Sequence, residues 1–155
     1  MKRHKFIASG AVERSLLQQT YEFTTEDGEP MVMNRFRRHP LKKGKGTGVI
    51  LLPGLGQNRY TWHLSRLSMV NFLVDRGMDV FVPEFRGHGL SRIAGSKAPK
   101  GFSDYVFKDM PAFINTAIER SGHKELFLCG HSLGGTIMYA IDPALEKHIR
   151  GYIFI

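Results

Sequence analysis

The chain has 155 residues, of which 42% are hydrophobic and 23% charged. That is one domain's worth of length with an ordinary globular composition, which excludes a disordered, collagen-like or low-complexity chain. Lys and Arg number 22 against 14 Asp and Glu, a net charge of +8, and residues 1–48 hold 10 basic and 5 acidic side chains of that total. The basic excess centres on Arg35, Arg37, Arg38, Lys42, Lys43 and Lys45. No nucleic-acid motif and no row of stacking aromatics accompanies it, so it reads as a solvated loop and no nucleic-acid partner is expected. No apolar run approaches the roughly 18 residues of a transmembrane segment. The basic start, Met1 to Lys5, has no apolar stretch behind it, so no secretory signal is expected. A single cysteine, Cys129, rules out an internal disulfide and makes a reducing cytoplasm the expected compartment.

Residues 1–20 read as a leader or short helix, and residues 21–155 are expected to form the N-terminal, incomplete part of a domain. Tyr21 to Thr25 alternates like a strand, Glu26-Asp27-Gly28-Glu29-Pro30 is turn chemistry, and Met31 to Arg37 follows as a second strand of an antiparallel hairpin. His39 to Gly48 is a Pro/Gly/Lys loop. Val49-Ile50-Leu51-Leu52 is wholly apolar, the mark of a strand buried on both faces, and ends in the turn Pro53-Gly54-Leu55-Gly56. Helical spacing over Trp62 to Arg76 (Leu64, Leu67, Val70, Leu73, Val74) stops at Gly77. Val80 to Pro83 is a further buried strand, followed by a long polar loop over Glu84 to Gly101. Phe102 to Arg120 predicts a second helix, with Pro111 marking a break or a first turn near Asp109. Leu126 to Cys129 is a third buried strand, a third helix opens at the following glycine-rich turn and fades near Asp142-Pro143, and Gly151 to Ile155 is a fourth apolar strand.

This alternation predicts an α/β fold: a mostly parallel sheet with helices on both faces and an N-terminal antiparallel hairpin. Ligands of such sheets sit beyond the carboxyl ends of the strands, where the glycine-rich loops fall.

Gly130-His131-Ser132-Leu133-Gly134 fits G-x-S-x-G, between an apolar strand and a helix. A strand that turns sharply into a helix holds its serine in a strained conformation with Oγ projecting above the sheet. Flanking glycines remove Cβ atoms that would collide in so tight a turn. The amide after the serine lies at a helix N-terminus, where negative charge is favoured.

With this elbow the sequence resembles the α/β-hydrolase superfamily. Leu51-Leu52-Pro53-Gly54-Leu55-Gly56 is similar to the strand and loop that in the family usually ends in His-Gly, the histidine being replaced here by Pro53. Pro83-Glu84-Phe85-Arg86-Gly87-His88-Gly89-Leu90-Ser91 resembles the Arg-Gly-x-Gly-x-Ser loop. Tyr21 to Arg37 and Phe107-Lys108-Asp109-Met110-Pro111 are similar to stretches of the acid-lipase branch. The resemblance covers most of the chain from Tyr21 onward. It implies Ser132 as nucleophile and the Leu55 and Leu133 amides as oxyanion hole.

A catalytic serine needs a base, and the base a carboxylate, in the chain order Ser, Asp or Glu, His. After Ser132 come Asp142, Glu146 and His148. A ten-residue helix runs about 15 Å down the sheet, so Asp142 and His148 are expected near the opposite edge. His131 reads as packing beside the elbow, and His88 is the one histidine on a loop at the active end. His63 reads as a surface or capping residue; His4, His39 and His123 read as surface. No Cys/His set has metal-ligand spacing and no glycine motif has the context of a P-loop or dinucleotide site, so neither metal nor cofactor is expected. Cys129 reads as a small core residue, Arg86 as fixing its loop through backbone carbonyls, and Tyr60 and Trp62 as packing or as lining an acyl pocket.

The expected function is hydrolysis of carboxylic esters, lipid acyl esters among them, with acid and base absent from this chain. Two accounts of their source stand open: the chain is the front part of a longer esterase or lipase whose continuation carries them, or a second chain or second copy supplies them; either would cover the apolar edge Gly151–Ile155. Two alternatives stand beside it: a catalytically inactive binding module, and an acyltransferase or thioesterase using the same elbow.

Overall fold

The computed structural model describes residues 3–4, 16–38, 44, 46–64 and 68–155. Lys42, Lys43, Lys45, His39, Leu67 and most of the expected leader lie outside them. Among the described residues seven strands form one sheet: β1 (Arg3–His4), β2 (Leu16–Thr24), β3 (Pro30–Arg37), β4 (Gly48–Leu52), β5 (Asp79–Glu84), β6 (Leu126–Gly130) and β7 (Ile149–Phe154). Their order is β1-β2-β3-β5-β4-β6-β7. Strands β5, β4, β6 and β7 are mutually parallel, and β1 to β3 join antiparallel, with β3 lying against β5.

The pattern of two along each central strand divides the core. Ile50, Leu52, Phe81, Leu126 and Leu128 face one side, packed with Phe113 and Ile114 of α4 (Met110–Ser121) and Ile137 of α5 (Leu133–Tyr139). Val49, Leu51, Val80, Val82 and Cys129 face the other, under Trp62 and Val70 and Val74 of α1 (Met69–Asp75). Fully burying such side chains contributes about 1.5–3 kcal/mol each, so helices on both faces are the only way to use so apolar a sheet.

Four expectations are corrected. Leu16 to Thr20 is strand, not leader or helix: Leu17 to Thr20 pair residue by residue with Asn34 to Arg37, and Leu16 with His4, where ladder hydrogen bonds outweigh weak local signals. The helix expected from Trp62 starts at Met69, where Ser68 Oγ accepts from the Asn71 amide as N-cap; Arg59–Thr61 is a separate 3-10 turn. The Glu84–Gly101 loop contains the short helix α2 (Gly89–Ile93). The second helix is three segments, α3 (Phe102–Asp104), a π turn over Tyr105–Asp109 and α4, with Pro111 in the first turn of α4.

The basic cluster is also not a solvated loop where it is described. Arg35 is buried in β3, and its Nε and Nη2 donate to Asp79 at 2.7 and 2.5 Å. Arg37 donates to Gln19 Oε1 at 2.6 Å and Arg38 to Asp75 at 2.6 Å.

Candidate active site

The elbow hangs between two strand ends. The His131 amide donates to the Leu52 carbonyl of β4 at 3.1 Å, and the Ser132 amide to Ile155 at 3.3 Å. Ser132 has φ 50° and ψ −115°, and among the described residues it is the one non-glycine with positive φ. Such a residue is strained by about 1–3 kcal/mol and persists only where its surroundings over-determine it. Here the surroundings are backbone: a Cβ on Gly130 would lie 2.5 Å from the Gly134 carbonyl carbon, and one on Gly134 would lie 2.6 Å from the Leu52 oxygen. Ser132 is exposed, and its Oγ has no hydrogen-bond partner among the described residues. Leu133 opens α5, so its N–H has no intrahelical acceptor.

The loop after β4 closes a turn over Leu55 and Gly56, the Gln57 amide donating to the Gly54 carbonyl at 3.2 Å. Leu55 sits at its tip, 70% exposed. Among the described residues nothing accepts from its N–H. Gln57, which sequence reasoning did not single out, turns its side-chain carbonyl inward: Oε1 accepts from the Gly54 amide at 2.9 Å and the Thr61 hydroxyl at 3.2 Å, and lies 3.1 Å from His131 Nδ1. A glutamine three residues after a turn glycine is a faint signal, and its contact 74 positions away leaves none.

The described histidine rings are all engaged away from Ser132 Oγ. His88 Nδ1 donates to the Arg86 carbonyl of its own loop at 2.8 Å. His148 Nδ1 donates to the Lys124 carbonyl at 3.3 Å, just before β6, at the amino end of the sheet as expected. His63 Nδ1 lies 3.1 Å from Ser68 Oγ. His123 is buried, not on the surface: its Nε2 is 3.1 Å from Asp79 Oδ2, because the carboxylate that holds Arg35 has a lone pair left for it. Asp142 caps the 3-10 helix Pro143–His148, accepting from the Ala144 amide at 2.8 Å. Trp62 is buried and packs on the sheet, and Tyr60 is exposed. Burial pushes the Cys129 thiol up to about 11, so it is an inert core residue at neutral pH.

Arg86 is structural, through carboxylates rather than carbonyls. Its Nε donates to Asp109 Oδ1 at 2.7 Å, and its two terminal nitrogens donate to Asp27 at 3.0 and 3.1 Å. Lys108 reaches Asp27 at 3.2 Å and Asp104 at 2.7 Å. The hairpin turn, the Arg-Gly loop and the π turn thus converge on one guanidinium. A π turn re-aims a side chain that a regular helix would point elsewhere, which is how Asp109 meets Arg86. Arg86 holds the Asp27 carboxyl well below its ordinary range. Burial pushes Asp109 up to about 6, although Arg86 donates to it. Glu84, fully buried, accepts from Arg59 Nη1 at 2.9 Å and from the Leu90 amide, tying the Leu55 loop to α2.

Among the described residues no helix is long and apolar enough to cross a membrane. The chain is 32% identical over 147 residues to lipase member K of Homo sapiens, an alignment covering 85% of this chain and 37% of that protein. It is 29% identical over 149 residues to human gastric triacylglycerol lipase, covering 86% and 37%. The chain therefore spans little more than a third of the curated relatives it matches. Among solved structures it superposes on an epoxide hydrolase mutant of Vigna radiata with TM-score 0.62 at 22% identity, over 88% of this chain and 38% of that one. Epoxide hydrolase A of Mycobacterium thermoresistibile gives TM-score 0.61 at 19% identity, over 89% and 39%. A family profile for the alpha/beta hydrolase fold matches residues 48–155, from the first residue of β4 through the elbow to the end of β7, and the chain belongs to that family.

Proposed function

We propose that this chain carries the nucleophile and oxyanion hole of a serine hydrolase acting on carboxylic esters, lipid acyl esters among them. The observation that carries the reading is Ser132, held at φ 50° between glycines that admit no side chain, exposed and with no partner for its Oγ among the described residues. Ser132 Oγ attacks the acyl carbonyl while a general base takes its proton. The carbonyl oxygen becomes an oxyanion facing the Leu55 and Leu133 amides, an arrangement worth several kcal/mol of barrier where two such donors converge. Collapse expels the alcohol and leaves an acyl-serine, which water hydrolyses. The likeness to lipase member K and gastric triacylglycerol lipase supports an ester over other acyl substrates.

Base and orienting carboxylate come from outside the described residues, in this reading from a further segment or second copy. β7 supports that view. Among the described strands it pairs only with β6, and Tyr152, Ile153, Phe154 and Ile155 are exposed on it. A bare apolar edge is a surface that proteins normally cover.

The test is intact-mass detection of fluorophosphonate labelling. One adduct is expected on the chain once base and carboxylate are supplied, by its second copy or by the added further segment, and none on Ser132→Ala in the same state. Equal labelling of the two proteins sinks the assignment.

A further inference from the structure

We propose that Gln57 is a positioning residue that locks the Leu55 loop onto the elbow through the His131 ring, and so sets the spacing of the Leu55 and Leu133 amides. The inference rests on Ser132 being the nucleophile. An oxyanion hole assembled from two chain segments works only if both donors sit about 2.7–3.1 Å from one oxygen, and a 1 Å misplacement costs on the order of a hundredfold in rate. The sheet alone does not provide that spacing. The β4–β6 ladder ends at Leu52 opposite Gly130, and the last backbone bond across it runs from the His131 amide to Leu52. Leu55 lies three residues further on, at the tip of an exposed turn.

Beyond that point the side-chain hydrogen bond joining loop to elbow, among the described residues, is Gln57 to His131. The same Oε1 accepts from the Gly54 amide, the residue before Leu55. An atom that accepts from an amide N–H is the oxygen of the side chain, so His131 Nδ1 is assigned as a donor in this pair. The packing around the bond is tight. A Cβ on Gly54 would lie 2.7 Å from Gln57 Oε1 and 3.0 Å from His131 Nδ1. On another side buried Trp62 meets the His131 ring edge-on, ring centres 6.5 Å apart at 86°. Thr61 adds a third donor to Oε1. One carbonyl thus gathers the loop, the 3-10 turn and the elbow.

The experiment uses the chain in that same completed state, with base and carboxylate supplied, and two variants, Gln57→Leu and Gln57→Glu. Two quantities are read: the His131 tautomer from imidazole 15N NMR, and the second-order rate of Ser132 labelling by a fluorophosphonate. The wild-type ring is expected to carry its proton on Nδ1. In Gln57→Leu the Nδ1–H signature is lost and labelling slows about tenfold, the scale of a displaced oxyanion donor. Gln57→Glu keeps an acceptor at the same place and recovers the rate to within about threefold of wild type, which a fold defect at this position would not do. A neutral wild-type ring protonated on Nε2, or wild-type labelling by Gln57→Leu, overturns the proposal. A chain that shows the Nδ1–H ring but no Ser132 adduct overturns the nucleophile reading instead. The coupling then stands or falls on whether Gln57→Leu switches the tautomer.

Discussion

The two ends of the parallel strands treat polar groups in opposite ways. At the amino end Arg35, Asp79 and His123 are buried and mutually bonded, and Arg35 also donates to the Arg120 carbonyl at 2.9 Å. At the carboxyl end the Ser132 hydroxyl and the Leu55 and Leu133 amides have no partners among the described residues, and Ser132 is strained. The first set is shut away from water and satisfied internally, whereas the second faces solvent, with Ser132 exposed and Leu55 70% exposed. Past the carboxyl end of β5, Arg86 ties its loop to Asp109, and Glu84 ties the segment after the Leu55 turn through Arg59.

The separation of the stabilising end from the end proposed to react can be tested directly. The largest effect is expected from Asp79→Ala, which strands the buried Arg35 charge. Urea denaturation should show a loss of about 3–5 kcal/mol. Its folded fraction should still label at Ser132 at the wild-type rate, and a slowed rate would break the separation. Next comes Gly134→Ala, whose new Cβ meets the Leu52 carbonyl at 2.6 Å. Denaturation should register a cost of about 3 kcal/mol, and Ser132 labelling should be lost with it.

A pH series sharpens the role of Asp109. Its folded carboxyl is raised to about 6 from an ordinary 3.8, so the folded chain holds a proton there more tightly than the unfolded chain. The Asp109 contribution is therefore fully present below pH 4 and is lost as pH rises through 6. It amounts to roughly 2–3 kcal/mol. Asp109→Asn should remove that slope from the pH dependence of the unfolding free energy. An unchanged slope would place the titration elsewhere. The smallest effect is Ser132→Gly. It should raise stability by about 1 kcal/mol by relieving the positive φ, while abolishing labelling.

Several of these features were legible from residues alone. The apolar runs Val49 to Leu52 and Leu126 to Cys129 announce strands buried on both faces, because no other local structure hides four consecutive apolar side chains so short of a helix's length. The elbow announces itself as well, since the tight turn demands glycine at the two positions where Cβ would strike backbone. Ser132 is marked by the spelling of that turn, while Leu55 and Leu133 are marked only by the resemblance to the α/β-hydrolase family.

Other features depend on contacts far apart in the chain. Arg35 looks like one more cation in a basic run until β3 is set against β5 and Asp79 meets it, 44 positions away. His123 looks like a surface residue until the same carboxylate buries it. Arg86 collects Asp27 and Asp109 from 59 and 23 positions away, and the π turn that aims Asp109 has no spelling of its own. Leu17 to Thr20 become strand through their pairing with β3, against weak local propensity. Local sequence encodes what a turn or a run of side chains must do by itself. Charges, rings and edge strands take their roles from whichever partner the sheet order brings to them, and that order is a property of the folded chain.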